Sequence, residues 1–209
     1  MFWLTPQHSR YIVPTFFPPT IVEKSKEHLR EKPNKVPIFL VMGSFDSDKR
    51  NVASLKAVLE AQRGRQFQVR FLGGQSGNSK NESLVKFVND NDSSPDDLSK
   101  IQLMANFDTF TFMSQVGEVD AVLPLVDETN FHAKYQEGRE LTSSVSWALG
   151  FGKKLVIYKE LAEVFGIEED NATYWQYDHS KSFSNAFGDC LYRLDEMGAS
   201  ERHNGVPIQ

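Results

Sequence analysis

The chain has 209 residues, 40% of them hydrophobic and 24% charged, with a formal net charge of −5. That length suits one sizeable domain with its own core. The balance of 23 basic against 28 acidic residues speaks against a nucleic-acid partner, which would need a basic face. No apolar run approaches the roughly 18 residues needed to span a bilayer.

The first 35 residues read as an irregular arm. Pro6, Pro14, Pro18, Pro19 and Pro33 interrupt any long element, because proline fixes φ and removes a backbone donor. Between them only Ile21 to Arg30 has the pattern of a short polar helix. The arm also carries Phe2, Trp3, Tyr11, Phe16 and Phe17, an aromatic cluster that must pack either on the domain's own sheet edge or on a partner. There is no basic segment followed by a clean apolar run, so the start is not a signal peptide. The lone Cys190 rules out an internal disulfide framework and favours a reducing, cytoplasmic setting. Three Asn-x-Ser/Thr triplets, at Asn81, Asn91 and Asn171, weigh little against it.

From residue 36 onwards the pattern alternates. Val36–Met42 predicts a first strand, followed by a helix over Arg50–Arg63 with Val52, Leu55, Val58 and Leu59 at core-facing spacing. Gln66–Leu72 predicts a second strand ending at Gly73-Gly74, and Asn81–Asn89 a helix. Ile101–Met104 predicts a short third strand, Phe107–Val116 a helix, and Asp120–Val126 a fourth strand. Residues 127–140 form a polar loop long enough to suggest function. Thr142–Leu149 predicts a helix with Thr142 or Ser143 as N-cap. Lys154–Tyr158 is a fifth strand, LAEVFG one or two helical turns, Thr173–Tyr177 a sixth strand, and Phe183–Met197 a closing helix before a flexible tail over 199–209. Strands alternating with helices imply an α/β domain over 36–198: three layers, Rossmann-like, with a parallel sheet of five to six strands.

In such a sheet, ligands bind beyond the carboxyl ends of the strands. The chemistry-bearing residues fall there. Gly43-Ser44 leaves the first strand without a Cβ at the turn, so backbone N–H groups can approach a phosphate. Lys49 and Arg50 come next, at a helix start, where cations oppose the helix dipole and would suit a diphosphate; an ordinary solvated pair is the competing reading. Thr142, Ser143 and Ser144 offer hydroxyls and free N–H groups at another helix start, with plain capping as the alternative. Upstream, Lys134 and Tyr135 are candidates to pair with or stack on a ligand held there, with plain surface placement as the competing reading, and Tyr135 and Arg139 are expected to border the same edge. Asp127 and Glu128 end the fourth strand but alternate across it, which excludes an acid/base dyad. His132 in the loop reads as exposed, and the other histidines and Cys190 lack metal-ligand spacing. Neither G-x-G-x-x-G nor G-x-x-x-x-G-K-[ST] is present, so no dinucleotide fingerprint and no P-loop is supported.

The order of these pieces resembles the C-terminal, donor-binding half of GT-B glycosyltransferases. The resemblance rests on VMGSFDSDKRNVASLKAVLEA, QFQVRFLGG, VGEVDAVLPLVDE and TSSVSWALGFGKKLVIYKELAEVFGI, and covers about three quarters of the chain. It implies a nucleoside-diphosphate sugar as substrate, with Gly43 and Lys49 at the diphosphate and the region 139–144 at the sugar or ribose. It also implies catalysis without a metal cofactor. Two positions depart from the family: Ser44 replaces its usual basic residue, and Arg139 and Trp147 stand near its two glutamates. The GT-B cleft lies between two domains, so turnover would require an acceptor-binding domain, met through the N-terminal arm or as a separate subunit. Three functions are therefore open. One is a sugar-nucleotide-dependent glycosyltransferase half; the second is a non-catalytic interaction or scaffold module derived from that fold; the third is a flavodoxin-like nucleotide-binding domain of other chemistry.

Overall fold

A computed structural model of the protein describes residues 36–43, 50–51, 53–73, 100–104, 108–131, 135, 142–170 and 173–203, together with Thr20 and Glu23. The rest of the expected arm, the helix expected at Asn81–Asn89, and residues 204–209 lie outside the described residues. Six strands form one sheet: β1 Ile38–Met42, β2 Gln68–Leu72, β3 Ile101–Met104, β4 Ala121–Val122, β5 Lys154–Tyr158 and β6 Tyr174–Tyr177. Their order is β3-β2-β1-β4-β5-β6, with every neighbouring pair parallel. Among the described residues the helices are α1 Ser54–Ala61, α2 Thr109–Glu118, α3 Ser143–Gly150, α4 Lys159–Phe165 and α5 Phe183–His203.

The central strands are the most apolar, as burial on both faces of a parallel sheet demands. All five residues of β1 are buried, whereas edge strand β3 leaves Leu103 exposed. The step β1–α1–β2 runs one way from the sheet centre and β4–α3–β5 the other. Right-handed crossovers therefore put α1 and α3 on opposite faces, giving three layers. Helix α5 returns beside α1, where Phe187 packs its ring 4.2 Å from Phe39 of β1 and 5.2 Å from Phe67. An ion pair between Arg65 and Asp195 links the two segments at the surface. On the other face Phe112 of α2 meets Trp147 of α3 at 5.1 Å.

Helix boundaries follow local chemistry. Helix α1 starts at Ser54 rather than Arg50, because residues 50 and 51 are drawn into tertiary bonds, and it buries Leu55, Val58 and Leu59. Helix α2 begins two residues later than expected: Asp108 precedes it in extended conformation and accepts from the N–H groups of Phe110 and Thr111, a side-chain N-cap. Helix α4 ends on Gly166 in the left-handed region. Helix α5 runs to His203, six residues past the expected stop.

The fourth strand is the main departure. The sequence predicts Asp120–Val126, but ladder pairing covers only Ala121–Val122, with one further bond from Leu123 N–H to Leu40. Pro124 has no N–H to give. Leu125 turns to φ 52, unusual for a non-glycine, and its carbonyl accepts from the Asn51 N–H at 2.7 Å and the Asn130 side chain at 3.3 Å. The Val126 carbonyl accepts from the Tyr177 hydroxyl at 2.6 Å. The Leu125 and Val126 carbonyls are thus satisfied by loops and side chains instead of a neighbouring strand.

Candidate functional site

β1 and β4 lie side by side while their crossovers depart in opposite directions, so the crevice of an open α/β sheet opens at their carboxyl ends. The exits of β1, β2 and β4 and the start of α3 meet there, and two glycines shape the floor. Gly43 leaves β1 at φ 98, and Gly73 leaves β2 at φ 121; both conformations disfavour any side chain. A Cβ on Gly73 would sit 3.0 Å from the Gly43 carbonyl oxygen and 3.2 Å from its nitrogen. The Gly43 N–H is spent on the Leu72 carbonyl at 3.0 Å. Gly43 therefore supplies turn geometry, and any phosphate-binding N–H must come from a later residue of the turn.

Arg50 is the organising side chain. It is only 7% exposed, and its Nη2 donates to the Met42 carbonyl at 3.4 Å and to Thr142 Oγ1 at 3.2 Å. Burial lowers its pKa, and the charge and hydrogen bond of Tyr135 oppose that shift. One guanidinium thus joins the exit of β1, Tyr135 and the start of α3. Its neighbour Asn51 reaches the other strand, giving its backbone N–H to Leu125 and its side-chain amide to Asp127 Oδ2.

The hydroxyls of α3 sort by burial. Thr142 Oγ1 lies 2.7 Å from Ser144 Oγ, and both residues are buried. Engaged this way, Thr142 does not cap the helix through its side chain, and the first N–H groups of α3 lack that acceptor. Ser143 is exposed between them. Tyr135 is buried and stacks on Phe131 with ring centroids 5.7 Å apart and planes 6° apart. Of the residues singled out in the sequence, Gly43, Arg50, Tyr135, Thr142 and Ser144 are drawn together by these contacts, with Ser143 between the last two. Ser44, Lys49, Lys134, Arg139 and His132 lie outside the described residues.

The carboxylates at this edge differ in availability. Asp127 is buried and accepts from Asn51 as well as from the N–H and hydroxyl of Thr129; it is a structural acceptor. Glu128 is exposed. Together with burial and with Glu160, its charge pushes the Tyr158 phenol up to about 12. Tyr177, fully enclosed near Asp127 and Glu128, is held well above the ordinary tyrosine range, with burial the leading cause. The β5–β6 end is thus acidic and aromatic. Sequence reasoning missed Asn51 and Tyr177, whose partners are far along the chain. It noted Gly73 only as a strand end, although its place after β2 repeats that of Gly43 after β1.

No protein-family model matches the chain, and no curated protein matches it. Solved structures do. A glycosyltransferase from Rickettsia africae aligns with 90% of this chain and 47% of its own length, at 16% identity and a TM-score of 0.52. The C-terminal domain of LpcC, a group 1 glycosyl transferase from Francisella tularensis, aligns over 88% of this chain and 94% of its own, at 12% identity and 0.52. The fold is thus similar to that of glycosyltransferase C-terminal domains of the GT-B type. Anabaena HepE, solved in complex with UDP, shares the fold with a TM-score of 0.54 at 12% identity over 88% of this chain and 49% of its own. The chain thus spans about half the length of the Rickettsia and Anabaena proteins. Among the described residues, no helix is long and apolar enough to cross a membrane.

Proposed function

We propose that the chain binds a nucleoside-diphosphate sugar at the carboxyl edge of its sheet, as the donor-binding half of a glycosyltransferase. The observation that carries this reading is the Arg50 junction. By bonding to Met42 and Thr142, it holds the Gly43 turn and the α3 start against one crevice, and both are suited to anions. HepE was solved with UDP on the same fold, which supports a nucleoside diphosphate as the ligand class. In this reading Lys49 and the N-terminus of α3 offset the charge of the leaving diphosphate, so catalysis is chiefly electrostatic and binding does not require a divalent ion. The acceptor is held by a second domain, from a longer chain or a separate subunit reached through the N-terminal arm. The lone Cys190 is in keeping with a cytoplasmic setting.

A second reading has its own observation. Trp147, near one of the expected glutamates, is packed between Phe112 at 5.1 Å and Phe151 at 5.8 Å. That position serves the core and offers no carboxylate, which favours a non-catalytic module that kept the fold. A thermal-shift panel of UDP, GDP, UDP-glucose and GDP-mannose, with and without EDTA, separates the two. Stabilisation by a nucleoside diphosphate in EDTA supports the donor site, and a flat response across the panel supports the interaction module. Release of free sugar from the stabilising donor would then establish chemistry.

A further inference from the structure

Resting on the donor-site reading, we infer that Arg50 is a positioning residue of the cleft and not a phosphate ligand: its guanidinium sets the spacing between the β1 exit and the start of α3 through Thr142. The pair Lys49-Arg50 looks like a double phosphate clamp, but the two residues divide the work. Arg50 is 7% exposed, and its Nη2 already serves the Met42 carbonyl and Thr142 Oγ1. Turning Nη2 towards a ligand would break both bonds inside a buried site, where an unmet acceptor is costly.

The bond to Thr142 also ties Arg50 to the next hydrogen bond in the chain. A guanidinium only donates, so Thr142 Oγ1 accepts from Arg50, and it also shares a hydrogen bond with Ser144 Oγ, 2.7 Å away, in which either hydroxyl can donate. The Thr142 and Ser144 hydroxyls are thereby occupied, and Thr142 does not fold back to cap its own helix. The Val145 N–H is taken by the Thr142 carbonyl at 3.2 Å, which leaves the N–H groups of Ser143 and Ser144 as the first-turn donors that an anionic ligand would meet. Arg50 thus acts on the ligand through α3. A lysine at position 50 has a single ammonium without the planar fork and would not reproduce the junction.

The test uses the full chain and UDP, with GDP as the second probe. Arg50→Met keeps the bulk and removes the donors; Thr142→Val keeps the shape and removes the acceptor. Each is expected to weaken UDP binding in calorimetry by about tenfold, in keeping with a lost hydrogen bond to a charged group. The double variant is expected to be no weaker than either single one, because both cut the same link. The dependence of affinity on sodium chloride is expected to match wild type in both, since no phosphate contact is lost. Additive losses, or a flattened salt dependence in Arg50→Met with full affinity in Thr142→Val, would overturn the inference in favour of direct phosphate contact. If Arg50→Met does not fold, Arg50→Lys takes its place with the same readouts.

Amide exchange on the free chain is a second, independent measurement. Protection across Ser146–Gly150 is expected to fall in both variants while β1 and β5 keep theirs, and unchanged protection of α3 would overturn the inference. If wild type binds neither UDP nor GDP, the donor-site reading fails by itself, and the exchange result still decides whether Arg50 positions α3.

Discussion

The face of the sheet under α1 and α5 is closed by rings, whereas the carboxyl edge of β1 and β4 is closed by polar side chains. Beneath α5, Phe39, Phe67 and Phe187 meet at tilted and edge-on angles. Attraction of that kind is strong in total but weakly directional, so it stabilises without dictating ångström-level geometry. At the edge, Arg50, Asn51, Asp127 and Thr142 are fixed by short directional bonds across long stretches of chain. Such a network adds modest net stability, yet a single arrangement satisfies it. The ring-packed face supplies the stability on which the edge can hold a defined shape.

The largest expected effect falls on the ring-packed face. Phe187→Ala should lower unfolding free energy by about 3–5 kcal/mol, the range for deleting a buried aromatic side chain, as read from urea denaturation. If nucleotide affinity per folded molecule also collapsed, the two regions would not be separable in this way. Next is Lys49→Ala, which should weaken nucleoside-diphosphate binding by about 1.5–3 kcal/mol, as for a charge-assisted hydrogen bond, with the urea midpoint unchanged. Calorimetry showing equal affinity would return Lys49 to the solvated surface.

Asn51→Ala should cost about 0.5–1.5 kcal/mol of stability through its lost amide bond to Asp127. Its sharper signature is local, faster amide exchange around Leu125–Asn130 with the ring-packed face unaffected. The smallest effect belongs to Asp178, just past β6. Hydrogen bonds from Ser180 and Lys181 depress its pKa from 3.8 to about 2. A carboxylate depressed on folding adds stability that is complete above its unfolded pKa and is lost as pH falls through the folded one. Asp178→Asn should therefore destabilise slightly at neutral pH, and its deficit should shrink as pH drops from about 4 towards 2. A deficit independent of pH would assign the effect to packing of the 178–181 turn.

Much of the architecture was legible in the residues. β3 and β5 fall on their predicted boundaries, and β1, β2 and β6 begin one or two residues inside theirs, because apolar runs bounded by glycine and polar turns carry their own punctuation. The one strand misjudged in length, β4, failed for a tertiary reason. LPLV is apolar enough for a strand, but proline and the left-handed Leu125 hand its carbonyls to Asn51, Asn130 and Tyr177.

The site was legible only by place. Local sequence determined that Gly43, the Lys49-Arg50 pair and the 142–144 run follow strands or open helices, because turn chemistry and helix starts depend on near neighbours. It did not determine which side chains face a ligand. Arg50 reads as an exposed turn cation until Thr142, 92 positions away, is brought to it. Thr142 and Ser144 read as open hydroxyls until burial pairs them. Asp127 reads as a free carboxylate until Asn51 and Thr129 fill its oxygens. Which polar groups are spent on one another is set by contacts across the sheet, and so only the tertiary structure decided it.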